Sequence, residues 1–378
     1  MVAILAELES GAVDDLAAVV TLDPEPYCRS VEAGQGQIDL VQEATKLVDI
    51  GDRQTLENHG AIIGDRRYGT QMPAEPDKRA LVEFVSTLVG SPLTEFAPLP
   101  GSVANLDYLA RTADQRRFIV KIGPRSEMVA EAWACRRLAP TEVPVPEIVH
   151  LEPGYDGPET ALLIVSFLSG AASAEPSVVE AAGRAMRRVH AERFPGWGPL
   201  VVDADGSGGD HARGCFRTWP EAVVDSLSGL PELVAAGIIE AQLANAARKC
   251  VEMEEVLGYQ GPGVLLHNDL KSAHLFAVED EDQVRLSGII DWGDAGVGDP
   301  LVDLARLSMS GPEVLDAFAA GYGVELTPLL HRTLARYRIL RNVTALTYEY
   351  RAGGDWFDVY RDGVSRDTGL LAGSAAPS

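Results

Sequence analysis

The spacing of apolar residues separates the N-terminal part of the chain from the rest. One helix is predicted over about residues 37–48, and a second begins after Asp77 and stops at Gly90. The second helix has an apolar face with helical spacing, made by Ala80, Leu81, Phe84, Val85 and Leu88. Glycines between residues 49 and 71 predict short strands and turns. We interpret residues 1–95 as an N-terminal extension of unknown role.

From residue 96 to about residue 170 the pattern predicts a β-rich unit. Two strands, at residues 106–110 and 117–122, are separated by a polar turn and read as a hairpin. Ser126 is placed to cap the next helix. That helix has an apolar face formed by Met128, Ala132, Cys135 and Leu138. Residues 162–168 then form a nearly continuous apolar strand.

Residues 171–378 are predicted to be mainly helical. Helices are expected at about 177–190 and 239–257, and again from about 312 to 350. A compact β segment at 264–291 interrupts them. A β-rich unit followed by an α-rich one predicts the α+β fold class.

Composition narrows the choice of partners. The 378 residues include 56 acidic and 32 basic residues, for a net charge of −24. Nucleic acids and anionic membranes both require clustered Lys and Arg, so neither is expected as a partner. We find no apolar stretch of about 18 residues and no signal peptide, so the cytoplasm is the expected compartment. The four cysteines are far apart and predict neither a zinc site nor a disulfide framework.

The chemistry concentrates in one stretch, where His267, Asp269 and His274 are followed by Asp291. The strand, loop, strand, turn and strand pattern around them predicts a hairpin with Asp269, His274 and Asp291 near one mouth. Phosphoryl transfer needs such a set, with one carboxylate to orient a hydroxyl and further ligands to hold Mg²⁺. The alternative interpretations are acids that merely cap helices and a transition-metal hydrolase site.

Around these residues the chain resembles the aminoglycoside phosphotransferase family of antibiotic kinases. The resemblance rests on HNDLKSAH at 267–274 and IDWGDAGVGDP at 290–300, and it covers about residues 96–360. It implies a two-lobed protein-kinase-like fold, with an N-lobe and hinge at 96–170 and a helical C-lobe at 171–378. It also implies an O-phosphotransferase that uses Mg²⁺ with ATP or GTP as the phosphoryl donor.

The nucleotide site is also implied by the resemblance. Lys121 resembles the lysine that binds the α- and β-phosphates, and Glu131 its ion-pair partner, with Glu127 as the competitor for that role. The small residues from Gly101 through Ser102 to Asn105 would form the loop over the phosphates, since they let backbone N–H groups approach. Backbone groups from Ser166 to Leu168 would pair with the purine at the hinge.

The same resemblance implies roles in the catalytic loop. Asp269 is the expected catalytic residue, and Asp291 and His274 are the expected metal ligands. His267 is expected to be structural, and Asp303 to hold the loop through backbone hydrogen bonds. Asp294 either contacts the metal through water or caps the loop.

Two positions depart from the family pattern. His274 stands where the family usually has Asn, and Asn268 where it usually has Gly. An imidazole is a poorer Mg²⁺ ligand than an oxygen. Macrolide kinases of the family also tend to carry His at this position, so the change is compatible with activity.

The acceptor is expected to be a small molecule with a hydroxyl group, bound in the helical lobe beside Asp269. The expected pocket residues, which alternatively form core and helix packing, are Tyr348, Glu349, Tyr350, Trp356, Asp358 and Tyr360. We expect an antibiotic: an aminoglycoside, a macrolide or a nucleoside. A kinase of a primary metabolite such as homoserine or choline and a non-catalytic nucleotide-binding module are the alternatives. Residues 1–95 would complete the small lobe, cover the nucleotide or form a homodimer contact.

Overall fold

The computed structural model describes residues 76–99, 105–202, 211–280, 283–351 and 353–373. The helix predicted at 37–48, the strands and turns predicted at 49–71, and the loop residues Gly101 and Ser102 lie outside the described residues. Within the described ranges the chain forms a β-rich N-terminal lobe and a larger, mainly helical C-terminal lobe. The predicted α+β, kinase-like architecture is therefore confirmed.

The N-terminal lobe is built on an antiparallel sheet of five strands in the order β1-β2-β3-β5-β4. The strands are β1 (Leu93–Pro98), β2 (Leu106–Thr112), β3 (Arg117–Pro124), β4 (Ile148–Glu152) and β5 (Thr160–Ser166). The predicted hairpin is β2 and β3, in which Asp107 lies opposite Lys121. The third predicted strand is β5, which ends at Ser166 rather than at residue 168.

One helix packs on each face of this sheet. Helix α1 (Lys78–Val89) is capped by the Asp77 carboxylate and ends at Gly90, whose φ of 69° is the left-handed conformation typical of helix C-termini. It packs with alternate residues of β3 and β5, whereas helix α2 (Arg125–Leu138) packs on the opposite face. The predicted boundary at residue 95 falls inside β1, so residues 76–95 are integral to this lobe.

Helix α2 begins differently from the prediction. The N-cap position belongs to Pro124 and makes no side-chain cap, so Ser126 is already inside the first turn. The predicted apolar face is correct, since Met128, Ala132, Cys135 and Leu138 are all buried. The strand–helix junction is therefore tighter than the capping rule implied, because β3 runs directly into the helix.

The C-terminal lobe is a helical core crossed by short strands. Its helices are α3 (Pro176–Val189), α4 (Trp219–Ser226), α5 (Leu230–Ala235), α6 (Ala241–Val251), α7 (Glu254–Leu257), α8 (Leu301–Ser308), α9 (Pro312–Tyr322), α10 (Pro328–Arg351) and α11 (Phe357–Gly373). The helix predicted at 239–257 is two helices, α6 and α7. Helix α11 was not predicted, since Gly363 and Gly369 weaken its local helical signal. Its Asp367 accepts from Arg338 of α10 through both carboxylate oxygens, at 2.7 and 3.0 Å.

Two small sheets hold the two ends of the loop that contains Asp269. One contains β6 (Ala171–Ala172), β10 (Leu275–Asp280) and β11 (Gln283–Ile289); the other contains β7 (Trp197–Val201), β8 (Arg213–Phe216), β9 (Val264–Leu266) and β12 (Gly296–Gly298). The loop between β9 and β10 passes from one sheet to the other. None of the described helices is both long and apolar enough to cross a bilayer.

Candidate active site

Asp303 anchors the loop that follows β9. Its Oδ2 accepts from the backbone N–H of His267 at 2.9 Å, and its Oδ1 accepts from the backbone N–H of Asn268 at 2.8 Å. His190 Nε2 lies 3.1 Å from the same carboxylate, which is completely buried. The predicted role of Asp303 in holding the loop is confirmed by these contacts.

His267 and Asn268 shape the start of the loop. The ring of His267 packs against Trp292, and its Nε2 lies 2.9 Å from the carbonyl oxygen of Ile290, which fits the predicted structural role. Asn268 has a φ of 63°, a left-handed conformation that Gly adopts easily and Asn tolerates better than most residues. Its side-chain amide donates to the carbonyl oxygen of Asp294 at 2.9 Å. The departure from the family's Gly is therefore accommodated in the backbone.

Asp269 is buried and surrounded by cations. Lys271 Nζ donates to its Oδ2 at 2.8 Å, and both Arg306 Nε and Arg341 Nη2 donate to its Oδ1 at 2.8 Å. Burial opposes the charged form, but Arg306, Lys271 and Arg341 together hold the pKa of Asp269 well below its ordinary range. The side chain is therefore a carboxylate at neutral pH.

A second ion cluster lies across the mouth of the loop, where Lys121 meets two acids. Lys121 Nζ donates to Glu131 Oε2 at 2.5 Å and to Asp291 Oδ1 at 3.0 Å. Burial favours neutral lysine, but Asp291 and Glu131 raise its pKa well above the ordinary value. The predicted pairing of Lys121 with Glu131 is confirmed as a contact.

Glu127, the competitor for the Lys121 pairing, remains outside it. It is buried, and its Oε1 makes no hydrogen bond within the described part of the chain. Burial, reinforced by Asp294 and Asp291, raises its pKa well above the ordinary value. Glu127 is therefore a buried acid that favours its neutral form.

Asp269, His274 and Asp291 come together as predicted. One potential ligand atom from each lies within 4.8 Å of the others, and among the described residues they form a cluster able to hold a metal ion. His274 Nδ1 lies 3.0 Å from the carbonyl oxygen of Asp269, and its Nε2 lies 3.4 Å from Asp291 Oδ2. Burial and the nearby Lys271 lower the pKa of His274 to about 3, so the ring is neutral. Its Nδ1–H is then used by the carbonyl, which leaves the Nε2 lone pair on the side of Asp291.

A cavity of about 640 Å³ lies between the lobes and reaches this second cluster. The residues that line it include Asn105, Lys121, Glu131, Ser166, Phe167, Leu168 and Asp291. The N–H groups of Ser166 and Phe167 donate to the carbonyl oxygens of Glu147 and Arg117, so neither is available to a ligand. Arg117 also lies over the ring of Phe167, 4.0 Å from its centre. Among the predicted hinge residues, Ser166 and Phe167 therefore do not offer their N–H groups to a ligand, and Leu168 lines the cavity.

Asn105 lies where the loop expected over the phosphates returns to the sheet. It is buried, and its side chain covers Gly123 of β3 so closely that a Cβ there would lie 1.9 Å from Asn105 Oδ1. The absence of a side chain at 123 therefore gives the Asn105 amide its place on the cavity wall.

A second cavity of about 840 Å³ opens in the C-terminal lobe on the other side of the loop. It lies among α4, β12, α8 and α10, and its lining includes Asn268, Asp294 and Arg341. Arg341 also donates to Asp269, so the Arg341 side chain lies between the cavity and that carboxylate. Burial, reinforced by Asp269, raises the pKa of the half-buried Asp294 to about 8.

The six tail residues expected in the acceptor pocket do not line this cavity. Tyr348, Glu349 and Tyr360 are buried packing residues, and the Glu349 carboxylate accepts from the backbone N–H groups of Asp355 and Trp356. Asp358 pairs with Arg361. The helices that form the cavity do follow Gly170, as expected, but it is the middle of α10 that contributes to its wall.

Sequence reasoning missed the cations around Asp269. Lys271 stands two residues from Asp269 within the same motif, so its charge inside a catalytic loop was a usable signal. Arg306 and Arg341 are 37 and 72 residues away along the chain. Nothing local in the sequence associates them with Asp269.

Comparison with known families and structures agrees with this geometry. The family model described as the phosphotransferase enzyme family matches residues 95–340, more than half of the chain. No curated protein sequence matches the chain.

Solved structures of small-molecule kinases share the fold. A thermostable mutant of aminoglycoside phosphotransferase APH(4)-Ia, solved with ADP and hygromycin B, superposes with a TM-score of 0.59 at 15% identity, covering 79% of this chain and 100% of that one. Macrolide 2'-phosphotransferase MphH from Brachybacterium faecium gives a TM-score of 0.52 at 21% identity, covering 75% and 97%. A protein assigned as a fructosamine-3-kinase from Thermobifida fusca gives 0.54 at 17% identity, covering 76% and 98%.

Together, the two-lobed fold and the paired ion clusters define a phosphotransferase with a kinase-like architecture. The chain belongs to the phosphotransferase enzyme family that includes the aminoglycoside phosphotransferases. It is accordingly a kinase that acts on small molecules.

Proposed function

We propose that this enzyme transfers the γ-phosphoryl group of ATP or GTP to a hydroxyl group of an antibiotic, an aminoglycoside, a macrolide or a nucleoside, and so inactivates it. One observation carries the proposal: Asp269 and Asp291 meet between two cavities. The first cavity contains Lys121 and Asp291, and the second reaches Asp269 through Arg341. A donor in the first and an acceptor in the second would meet at the loop.

In this proposal Asp269 orients the acceptor hydroxyl. An ionised carboxylate has about four lone-pair positions, and three are used by Lys271, Arg306 and Arg341. The remaining position, on Oδ2, suits one hydroxyl hydrogen. With its low pKa the carboxylate is a weak base, so it acts mainly by positioning the hydroxyl oxygen and accepts the proton late in transfer.

Asp291 and His274 fit a Mg²⁺ ion. Asp291 supplies carboxylate oxygens at the cavity, and neutral His274 supplies Nε2 beside them. We assign Asp269 to the hydroxyl rather than to the ion, because one lone-pair position remains on its Oδ2 and three cations already surround the carboxylate. When bound, the ion would neutralise charge on the donor phosphates.

The nucleotide would be held between the lobes. Lys121, positioned by Glu131, would contact the α- and β-phosphates, with the loop containing Gly101, Ser102 and Asn105 above them. Leu168 would pair with the purine through its backbone, with Ser166 beside it in the cavity wall. The APH(4)-Ia structures with ADP and with AMP-PNP support a nucleotide as the donor.

The test is transfer of labelled γ-phosphate from ATP, and separately from GTP, to a panel of aminoglycosides, macrolides and nucleosides, with Mg²⁺ present. The wild type is expected to label one of these classes. Asp269→Asn is expected to lower turnover by about 10²- to 10⁴-fold. Thermal unfolding of the variant separates this loss from misfolding, since Lys271, Arg306 and Arg341 lose their charged partner. Near-wild-type turnover in a folded Asp269→Asn enzyme would contradict the proposal.

A kinase of a primary metabolite is the second candidate, favoured by the likeness to the protein assigned as a fructosamine-3-kinase. Labelling of a metabolite such as homoserine, choline or a sugar amine, with no labelled antibiotic, would select it. Nucleotide binding without transfer to any acceptor would instead indicate a binding module. A cytoplasmic location, a homodimer and the absence of a nucleic-acid partner stay predictions.

A further inference from the structure

The wall of the second cavity carries little charge, although the chain as a whole is strongly acidic. Among the described residues that line it, Asp294 is the one carboxylic acid and Arg341 is the one basic residue. The chain's net charge of −24 is thus not concentrated on this surface. An acceptor with several ammonium groups would find one acidic side chain here.

Most of the wall is apolar. It is formed by side chains from α4, β9, β12, α8 and α10, among them Trp219, Val223, Leu266, Val297, Val302 and Leu340. This lining suits an acceptor with extended apolar faces.

The hydrogen-bond donors of the wall side chains already have acceptors within the protein. Ser226 Oγ donates to the carbonyl oxygen of Ala222, and Thr344 Oγ1 donates to that of Leu340. Trp219 Nε1 donates to the carbonyl oxygen of Val256, and the Tyr337 hydroxyl donates to Asp299. The hydroxyl oxygens keep lone pairs and can accept a few hydrogen bonds, but they supply no negative charge beyond Asp294 for further ammonium groups, which are costly to bury without a charged partner.

The charge at the inner end of the cavity points the same way. Arg341, in the wall, is one of three cations that share the single carboxylate of Asp269. Asp291 and Asp294 lie nearby, so the charges around the reaction point are of both signs. Within the cavity wall, however, Arg341 is the cation that an ammonium group near the inner end would meet.

We infer that the acceptor is a mainly apolar molecule with at most one cationic group, of the macrolide type, and not a polycationic aminoglycoside. This inference rests on the proposed function of the site. The single amine of such a molecule would face Asp294, its apolar ring would contact Trp219 and Val302, and its hydroxyl would reach Asp269.

The test measures equilibrium binding, which does not require transfer. Full-length enzyme with Mg²⁺ and a non-hydrolysable ATP analogue is titrated by calorimetry with erythromycin, a macrolide with one basic amine, and with kanamycin, an aminoglycoside with several. Wild-type enzyme is expected to bind erythromycin at least tenfold more tightly. Equal or tighter binding of kanamycin, or no binding of erythromycin, would overturn the inference.

A pair of matched variants tests the cavity itself. Val302→Asp adds an acid to the wall within the first turn of α8, where a helix tolerates an acid. Val359→Asp adds the same charge in the first turn of α11, at a residue that is 45% exposed. Val302→Asp is expected to weaken erythromycin binding at least tenfold and to narrow the preference over kanamycin, while Val359→Asp leaves both unchanged. Unchanged erythromycin binding in a folded Val302→Asp enzyme would show that the ligand lies elsewhere.

Transfer assays on the same proteins keep the two proposals apart. Tight erythromycin binding without phosphate transfer to any acceptor would refute the proposed function and leave the inference standing. Transfer to kanamycin in preference to erythromycin would refute the inference and leave the proposed function standing.

Discussion

Buried charges are paired in opposite ways on the two sides of the catalytic loop. On the nucleotide side, one cation, Lys121, is shared by two acids, Glu131 and Asp291. On the acceptor side, one acid, Asp269, is shared by three cations, Lys271, Arg306 and Arg341. Neither cluster is neutral by itself, yet both lie within the same small volume.

The difference matches what each side must receive. Excess negative charge beside Asp291 favours a metal cation, and excess positive charge around Asp269 favours the negative charge of a phosphoryl group in transfer. Isolated buried charges are costly, so each cluster is most stable when its missing partner arrives. In the proposed function, this unequal sharing suits a Mg-nucleotide on one side and a phosphoryl group on the other.

The largest effect expected from breaking the nucleotide side comes from Glu131→Gln. Loss of one charge-assisted hydrogen bond, worth about 1.5–3 kcal/mol, would lower kcat/KM for the nucleotide by about 10- to 100-fold. Glu127→Gln is the matched control, because Glu127 lies one turn away and its raised pKa already favours the neutral form. Steady-state kinetics at varied ATP should separate the two variants. Equal losses would mean that Glu127 also positions Lys121.

A smaller effect is expected from removing single cations on the acceptor side. Arg341→Gln and Arg306→Gln each remove one donor to Asp269 Oδ1, so kcat should fall about tenfold in both. Arg341 also lines the second cavity, so its loss alone should change the acceptor KM. Kinetics at varied acceptor tests this split. An unchanged acceptor KM in Arg341→Gln would place the acceptor away from α10.

An effect on stability rather than on turnover is expected from Asp294, the acid between the two clusters. Its pKa is raised to about 8 in the folded protein, against about 3.9 when unfolded. An acid with a raised pKa stabilises the fold at low pH, and that contribution is lost as pH rises from about 4 to 8. The unfolding free energy of the wild type should therefore fall with pH relative to Asp294→Asn, by at most about 1.4 kcal/mol per pH unit.

Urea unfolding without Mg²⁺ at pH 5 and pH 8 measures this slope. Asp362→Asn, at an exposed acid of α11, is the control for a simple change of net charge. If the unfolding free energies of wild type and Asp294→Asn change equally with pH, Asp294 is ionised at neutral pH. It would then count as a further charged acid beside the two clusters.

Local sequence signals predicted the parts of the fold and site that depend on neighbouring residues. Asp77 and Gly90 delimited α1 because caps act on adjacent backbone groups. The motif spacing brought Asp269, His274 and Asp291 together because the β10–β11 pairing sets Leu275 opposite Ile289, next to the loop's end. The Lys121–Glu131 pair was implied by the family resemblance, and in the structure it forms because β3 leads directly into α2.

Features that depend on distant chain could not be predicted in this way. Arg306 and Arg341 reach Asp269 from α8 and α10, and their charges look like ordinary surface charges in the sequence. Tyr348 and Tyr360 appeared suitable for a pocket, but helix packing buries them. Whether an aromatic residue lines a cavity or fills a core is decided by how α10 and α11 pack, and periodicity does not contain that information.

The close fit of Asn105 over Gly123 has an evolutionary consequence. A methyl group at position 123 would displace the Asn105 amide from its place in the cavity wall. If this wall binds the nucleotide as proposed, selection would remove that change in the present background. After residue 105 has become glycine, the same substitution would meet no obstruction from that side chain. The order in which mutations arise is therefore constrained, and we expect positions 105 and 123 to vary as a pair among natural relatives.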